Sequence, residues 1–368
     1  MQYNPMKQKK ILFLYQAVGQ GHKVIAYNIA GALQKDGYEI TLKNILEIEK
    51  GVLSEKGTDL YLKILDKVPG LWKFFYVNPI FLFVAWPFRQ VAAVFNNKKV
   101  KHILNEGNYD AVVCTQMTAS TIMSYLKYTG HYKNKLIATF SDFHLHRFWV
   151  YKNVDLFLAN IVEQKKEMVS MGYDPLRIAI CGITLPPRVE ITKETARAKL
   201  GITGQNVVLV FGGSFGYGFG QDTIDAARES ADTVLVICGT NVRLYETLKD
   251  IYANNPEVKL FGFISNVQEL YAASDCSVSK PGGLSTAESL QWKLPIIASS
   301  YMPGHEELNF KYLLARKLVI DGTKNLAAAI KHELETHEQF IQLQENPHVH
   351  EIVGDGSSVR EAVAKLLA

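Results

Sequence analysis

The 368-residue chain is 48% hydrophobic and 21% charged, which fits a soluble globular protein of two or three domains and excludes disordered, collagen-like and disulfide-scaffold classes. The net charge of +4 hides an asymmetry: residues 1–180 carry 23 Lys and Arg against 14 Asp and Glu, whereas residues 181–368 carry 17 against 22. The first half is therefore drawn to an anionic partner and the second is not. Cys114, Cys181, Cys238 and Cys276 each lie in or beside an apolar run, with no CxxC or Cys/His spacing. They read as buried reduced thiols in a cytoplasmic protein.

The basic stretch Met1–Lys10 is followed by a strand-like run and a glycine turn rather than by the h-region of a signal peptide. Ile11–Tyr15 is wholly apolar, as a strand buried on both faces of a parallel sheet would be, and Val24–Leu33 reads as the helix after it. The same run-then-helix rhythm returns at Ala111–Cys114, Leu136–Thr139, Asp155–Ala159, Val207–Phe211, Thr233–Cys238, Val258–Phe261 and Leu294–Ala298. Strands spaced by helix-length segments predict βαβ units in open parallel sheets. The pattern restarts after the prolines of Thr184–Arg188. Two doubly wound domains facing a cleft are expected, with a terminal helix over Ser357–Ala368 that packs back on the first.

Residues 71–88 (LWKFFYVNPIFLFVAWPF) interrupt the rhythm. The uncharged part, Phe74–Phe88, would reach only ~22 Å as one helix, short of a bilayer core, and two prolines break it. With lysines and arginines on both sides it reads either as an interfacial anchor on an anionic bilayer or as a buried helix pair.

Five polar clusters follow strands. Gly19-Gln20-Gly21-His22 opens a helix; it is neither a GxGxxG fingerprint nor a Walker loop, and His22 is either a neutral-pH base or a turn residue. Ser141–Trp149 (SDFHLHRFW) gathers Asp142, His144, His146 and Trp149 without a third metal ligand nearby. Phe211–Gly220 is a glycine turn able to offer amides and the Ser214 hydroxyl to phosphate. Ser279–Ser289 (SKPGGLSTAES) places Gly282, Gly283, Ser285 and Thr286 at a helix start, where amides and hydroxyls hold diphosphate. Glu288 then either accepts ribose hydroxyls or closes a capping box with Ser285. Pro303–Asn309 (PGHEELN) is the last cluster. No DxD-like pair or nucleic-acid motif accompanies them.

In this order the pieces resemble the diacylglycerol glucosyltransferases and monogalactosyldiacylglycerol synthases over nearly the whole length. The resemblance rests on Gly19–His22, on Asp142-Phe143 with His146, Trp149 and Asp155, on Lys280–Gly283 through Glu288, and on Leu294-Pro295 with Pro303-Gly304, Glu306 and Asn309. It implies the GT-B fold, with an acceptor- and membrane-binding domain at 1–186, a UDP-sugar-binding domain at 187–345 and a returning helical segment at 346–368. The implied reaction is inverting transfer of a hexose from UDP-glucose or UDP-galactose to the hydroxyl of diacylglycerol, without metal or other cofactor, by a cytoplasmic, peripherally membrane-associated enzyme.

By that resemblance His22 is the base and Asp142 orients it or shares the role. Gly21, Gly213, Ser214, Gly282, Gly283, Ser285 and Thr286 surround the diphosphate, Glu288 holds the ribose and Phe263 lies by the uracil. His305, Glu306 and Asn309 meet the donor sugar or its loop. Trp72, Phe74, Phe75, Phe83, Trp86, His146 and Trp149 serve the lipid acceptor. Two positions depart from the family pattern: His305 stands where it has Gln, and the junction GITLPP lacks its arginine, with Arg188 two places on. Alternatives of the same fold are an N-acetylglucosaminyltransferase acting on a prenyl-linked saccharide and a UDP-sugar 2-epimerase; a non-catalytic lipid- or nucleotide-binding protein is the other.

Overall fold

The computed structural model describes residues 8–16, 20–45, 74, 76, 78, 97–213, 216, 218–264 and 267–368. The chain divides into two compact units, residues 1–185 with 354–368, and residues 186–353.

Unit 1 is built on one parallel sheet of β1 (Lys10–Tyr15), β2 (Glu39–Asn44), β3 (Ala111–Cys114), β4 (Lys135–Thr139), β5 (Leu156–Ala159) and β6 (Ile178–Ile180), in the order β2-β1-β3-β4-β5-β6. The inner strands are enclosed on both faces, which is why they read as unbroken apolar runs. Helices α1 (Gly21–Gln34), α2 (Met117–Tyr128) and α3 (Val162–Ser170) follow β1, β3 and β5. Leu12, Leu14, Val112, Ile122, Met123, Leu136 and Phe157 share one core cluster.

Unit 2 repeats the design after the short β7 (Ile183–Thr184) of unit 1. Its sheet holds β8 (Val207–Phe211), β9 (Thr233–Ile237), β10 (Val258–Phe261), β11 (Cys276–Ser279), β12 (Ile296–Ala298) and β13 (Ile320–Asp321), in the order β10-β9-β8-β11-β12-β13. Its helices are α4 (Lys193–Lys199), α5 (Gln221–Arg228), α6 (Val242–Ile251), α7 (Gln268–Ala273), α8 (Gly283–Gln291), α9 (His305–Ala315), α10 (Leu326–Thr336), α11 (Glu338–Glu345) and α12 (Pro347–Ile352). Both units are Rossmann-like, and in each the chain winds outward both ways from a central pair: β1 and β3 in unit 1, β8 and β11 in unit 2.

One device sets register at the amino edge of both sheets. Asp155, just before β5, accepts from the Leu136 amide at 2.7 Å while its own amide donates to Leu136 O at 2.8 Å. Asp275 does the same with Val207 at 2.7 and 2.8 Å, and Asp110 with Lys10 at 2.8 Å each way. Lys127 pairs with Asp155, and Arg197 with Asp275 at 2.6 Å. Asp155, the last position of the DF..H..W.....D pattern, is thus a strand-register residue.

Past Gly354 the chain is in unit 1, where helix α13 (Ser357–Leu367) packs on α1 and β6. Residues 346–353 belong to unit 2, so the return begins at Gly354 and not at 346. A Cβ on Gly354 would lie 2.2 Å from Cys181 O, and one on Gly356 2.7 Å from Ala32 Cβ, so both close approaches need glycine. Leu185 N donates to Gly354 O at 2.8 Å, and Arg360 forks onto Asp36. All four cysteines are free and buried, and burial raises their thiol pKa values.

Candidate functional site

Ligands of open parallel sheets bind beyond the strands' carboxyl ends, where the chain winds apart. In unit 2 the turns after β8 and β11 flank that point. After β11, Gly282 is the N-cap of α8, with no side-chain cap, and Thr286 is the first residue to bond back, to Gly282 O at 2.9 Å. The amides of Gly283, Leu284 and Ser285 are therefore the open end of a helix, with its partial positive charge. Ser285 lies inside the helix rather than at its cap, so Glu288 is not half of a capping box.

The glycines divide into two kinds. A Cβ on Gly216 would meet Cys238 O at 2.4 Å, and one on Gly218 would meet Lys280 Cδ at 2.3 Å; these are packing glycines. A Cβ on Gly213 or Gly282 would meet nothing within 4 Å. Open space in front of Gly213, which has φ +64, and Gly282 is what close approach of a ligand to the backbone requires.

Glu288, half-buried in the second turn of α8, accepts from Tyr271 Oη at 3.2 Å. Burial pushes its carboxyl up to about 7, and the Tyr271 hydrogen bond opposes that rise. Phe263, just past β10, is 65% exposed, whereas Phe261 and Ile264 pack on the core beneath.

The PGHE turn after β12 is held by charge. Glu306 pairs with Lys280 Nζ at 3.0 Å and accepts from the Met302 amide at 2.7 Å. Ser300 Oγ donates to Gly218 O at 3.1 Å. Lys280 therefore joins three turns: its stem lies on Gly218, its ammonium on Glu306, and its residue opens the KPGG turn. Glu306, Asn309 and Thr286, expected to touch the donor, lie behind this surface, with exposures of 7%, 0% and 1%. Glu306 is held there by Lys280 and the Met302 amide. His305, the first residue of α9, stays partly exposed.

In unit 1, Gln20 takes the left-handed φ of 47° at the N-cap of α1, and a Cβ on Gly21 would meet nothing within 4 Å. His22 follows in the first turn. Its carbonyl accepts from Thr115 Oγ1 at 3.0 Å, and its ring lies 5.5 Å from that of Trp149. Residues 20–22 after β1, Thr115 after β3 and the loop 141–149 after β4 thus meet at one sheet edge. Asp142 accepts from Ser141 Oγ at 3.1 Å, and its main-chain O is held by Asn160 at 3.0 Å and Gln164 at 2.9 Å. His146, expected to serve the acceptor, is buried; its Nε2 lies 3.0 Å from Tyr76 O and its ring 4.2 Å from the Tyr76 ring. His144 Nε2 lies 2.7 Å from Tyr76 Oη. Both histidines therefore hold Tyr76. Phe74 is 54% exposed. Trp72, Phe75, Phe83, Trp86, Gly19 and Ser214 lie outside the described residues.

Sequence reasoning passed over Tyr271, whose helix reads as core, and Lys280, quoted only as part of a pattern. The displaced junction arginine has a place: Arg188 lies over the Trp292 ring at 4.1 Å, while Gln291 donates to Pro186 O at 2.8 Å. Among the described residues no three His, Cys, Asp or Glu side chains converge as metal ligands, and no helix is long and apolar enough to cross a membrane.

Residues 22–185 match the monogalactosyldiacylglycerol (MGDG) synthase family, and residues 192–347 match glycosyl transferases group 1. The chain is similar to the processive diacylglycerol beta-glucosyltransferase of Bacillus pumilus, with 25% identity over 92% of this chain and 90% of the relative. Its fold is similar to that of Anabaena HepE in complex with UDP-glucose (TM-score 0.58, 15% identity, 98% of this chain and 99% of that one). The UDP-GlcNAc 2-epimerase of Neisseria meningitidis has the same fold (TM-score 0.57, 12% identity, 97% and 100%).

Proposed function

We propose that this chain, a GT-B glycosyltransferase with an MGDG synthase domain in its first half and a group 1 glycosyl transferase domain in its second, moves a hexose from a UDP-sugar to the hydroxyl of diacylglycerol, with inversion, at a membrane surface. The observation that carries this reading is the similarity over 92% of the chain to a relative named for glucosyl transfer to diacylglycerol. A beta-glucoside made from an α-linked UDP-glucose is an inverted product.

In this reading unit 2 binds the donor. The amides of residues 283–285 and the backbone at Gly213 take the diphosphate, and the helix end offsets the charge that grows as UDP departs. Lys280 is engaged by Glu306, so it is the helix end that supplies the positive potential. Glu288 accepts the ribose hydroxyls and Phe263 offers its exposed face to the uracil. Unit 1 takes the acceptor. A lipid alcohol is a poor nucleophile at neutral pH, so His22 removes its proton as the oxygen attacks the sugar's C1. Ring packing on Trp149 fixes the direction of the imidazole. The first half's charge and its segment 71–88 hold the protein on an anionic bilayer.

The test offers UDP-glucose and UDP-galactose separately, with diacylglycerol in anionic liposomes and EDTA present. A glycolipid from one donor is the expected result and identifies the sugar and metal independence together. No glycolipid from either, with UDP still bound, overturns the acceptor assignment; epimerisation of UDP-GlcNAc by the same preparation would replace it.

A further inference from the structure

The donor-site reading gives Glu288 two ribose hydroxyls to accept, yet the carboxylate sits half-buried on α8, where an unsupported charge is costly. Among the described residues Tyr271 is the one that hydrogen-bonds it, and it does so on Oε2 only. Tyr271 is itself held firmly. It is 4% exposed, its ring stands edge-on to Phe211 at 5.9 Å, and it belongs to the same core cluster as Leu209 and Phe211 of β8. Phe211 is the last residue of β8 before the glycine turn. One phenol thus links the strand that launches the glycine turn with the helix that carries Glu288.

Resting on the donor-site reading, we infer that Tyr271 is a positioning residue for the nucleoside: its hydroxyl pins Oε2 of Glu288 so that Oε1 is presented to the ribose diol. A carboxylate on a three-bond side chain has several rotamers, and a rigid donor on one oxygen removes that freedom before the ligand arrives. Burial and the adjacent Glu288 hold the phenol in its protonated, donating form. The same hydrogen bond favours the ionised carboxylate, whose pKa burial has pushed up to about 7. Among the described residues Tyr271 is the titratable group that acts on Glu288. Without its hydroxyl, Glu288 takes up its proton at higher pH.

The test is calorimetric titration of the full chain with UDP and with 2′,3′-dideoxy-UDP, using wild type, Tyr271→Phe and Glu288→Gln between pH 5.5 and 8.5. Phe keeps the ring against Phe211, and thermal melting checks the fold. Expected is an about tenfold loss of UDP affinity in Tyr271→Phe at neutral pH, the size of a hydrogen bond to a charged group. Its affinity for the dideoxy analogue should stay within about twofold of wild type, because the diol the carboxylate would hold is gone. The pH midpoint of UDP binding should move upward. An equal loss for both nucleotides, or no loss for either, overturns the inference, since a packing defect does not distinguish the sugars. If Glu288→Gln binds UDP and the analogue as wild type does, the ribose assignment itself has failed, which is a different result. A second measurement needs no variant: the ratio of wild-type affinities for UDP and the analogue should fall below pH ~7, the titration of the terminal phosphate being common to both, and a flat ratio also overturns the proposal.

Discussion

In the proposed reaction His22 is the base on which the chemistry turns. It lies in the first turn of a helix launched from the central strand β1 and packs against Trp149 from a loop 127 residues further on. His22→Ala removes the proposed base but no part of unit 2. Turnover should fall by about 100-fold or more while UDP binding stays unchanged, since general-base catalysis contributes on that scale. Steady-state rates beside UDP titration check this, and retained turnover would remove His22 as the base. Glu288 carries the opposite signature. In the proposed site its role is in affinity, and burial has pushed its carboxyl up to about 7. UDP affinity should therefore rise with pH through that region, whereas a base at His22 controls rate.

At the scale of elements, each sheet has one edge for register, and the proposed chemistry lies at the other. Aspartates tie strand starts together at the amino edge, at Asp110, Asp155 and Asp275. At the carboxyl edge of unit 2 the tie is Lys280, joining the glycine turn, the KPGG turn and the PGHE turn. Its pair with Glu306 is largely enclosed, with side-chain exposures of 16% and 10%. Lys280→Met leaves a buried carboxylate without its counter-charge and should cost about 3 kcal/mol of stability. The double variant Lys280→Met with Glu306→Gln should regain much of this, because both charges have gone. Denaturant unfolding of the four members of the cycle measures the coupling. An uncoupled pair would mean that the turns are held by packing alone.

For the whole molecule, the proposed division of labour follows the charge. The basic half carries the aromatic segment, of whose described residues Tyr76 is held by His144 and His146 and Phe74 is 54% exposed. Replacing Trp72, Phe74 and Phe83 with Ser should release the protein from anionic vesicles in a flotation assay while leaving UDP binding intact. Loss of the folded state instead would mean that these aromatics are core.

Two Rossmann-like units and the turn positions were legible in the sequence because buried parallel strands are uniformly apolar and each is followed by a polar or glycine turn, whereas the glycosyltransferase class came from the resemblance of the motifs to a known family. Val207–Phe211 and Val258–Phe261 are strands as expected. Less apolar strands left no such trace. β2 (EITLKN) is a half-exposed sheet edge. β11 (CSVS) is buried but serine-rich, and Ser277 satisfies its hydroxyl on Pro295 O. Nor could spacing tell a donor-facing glutamate from a capping one, because Glu288 is compatible with both until the cap is seen at Gly282. The family pattern carried its residues as a set, and only tertiary structure sorted them. Asp155 keeps register, Glu306 and Lys280 neutralise each other, His146 holds Tyr76, and Gly213 and Gly282 face open space. The physical reason is that residue type determines which chemistry is available, whereas burial and the nearest partner determine which of it is used. Partners hundreds of residues apart, such as Asp36 and Arg360, meet only in the folded chain.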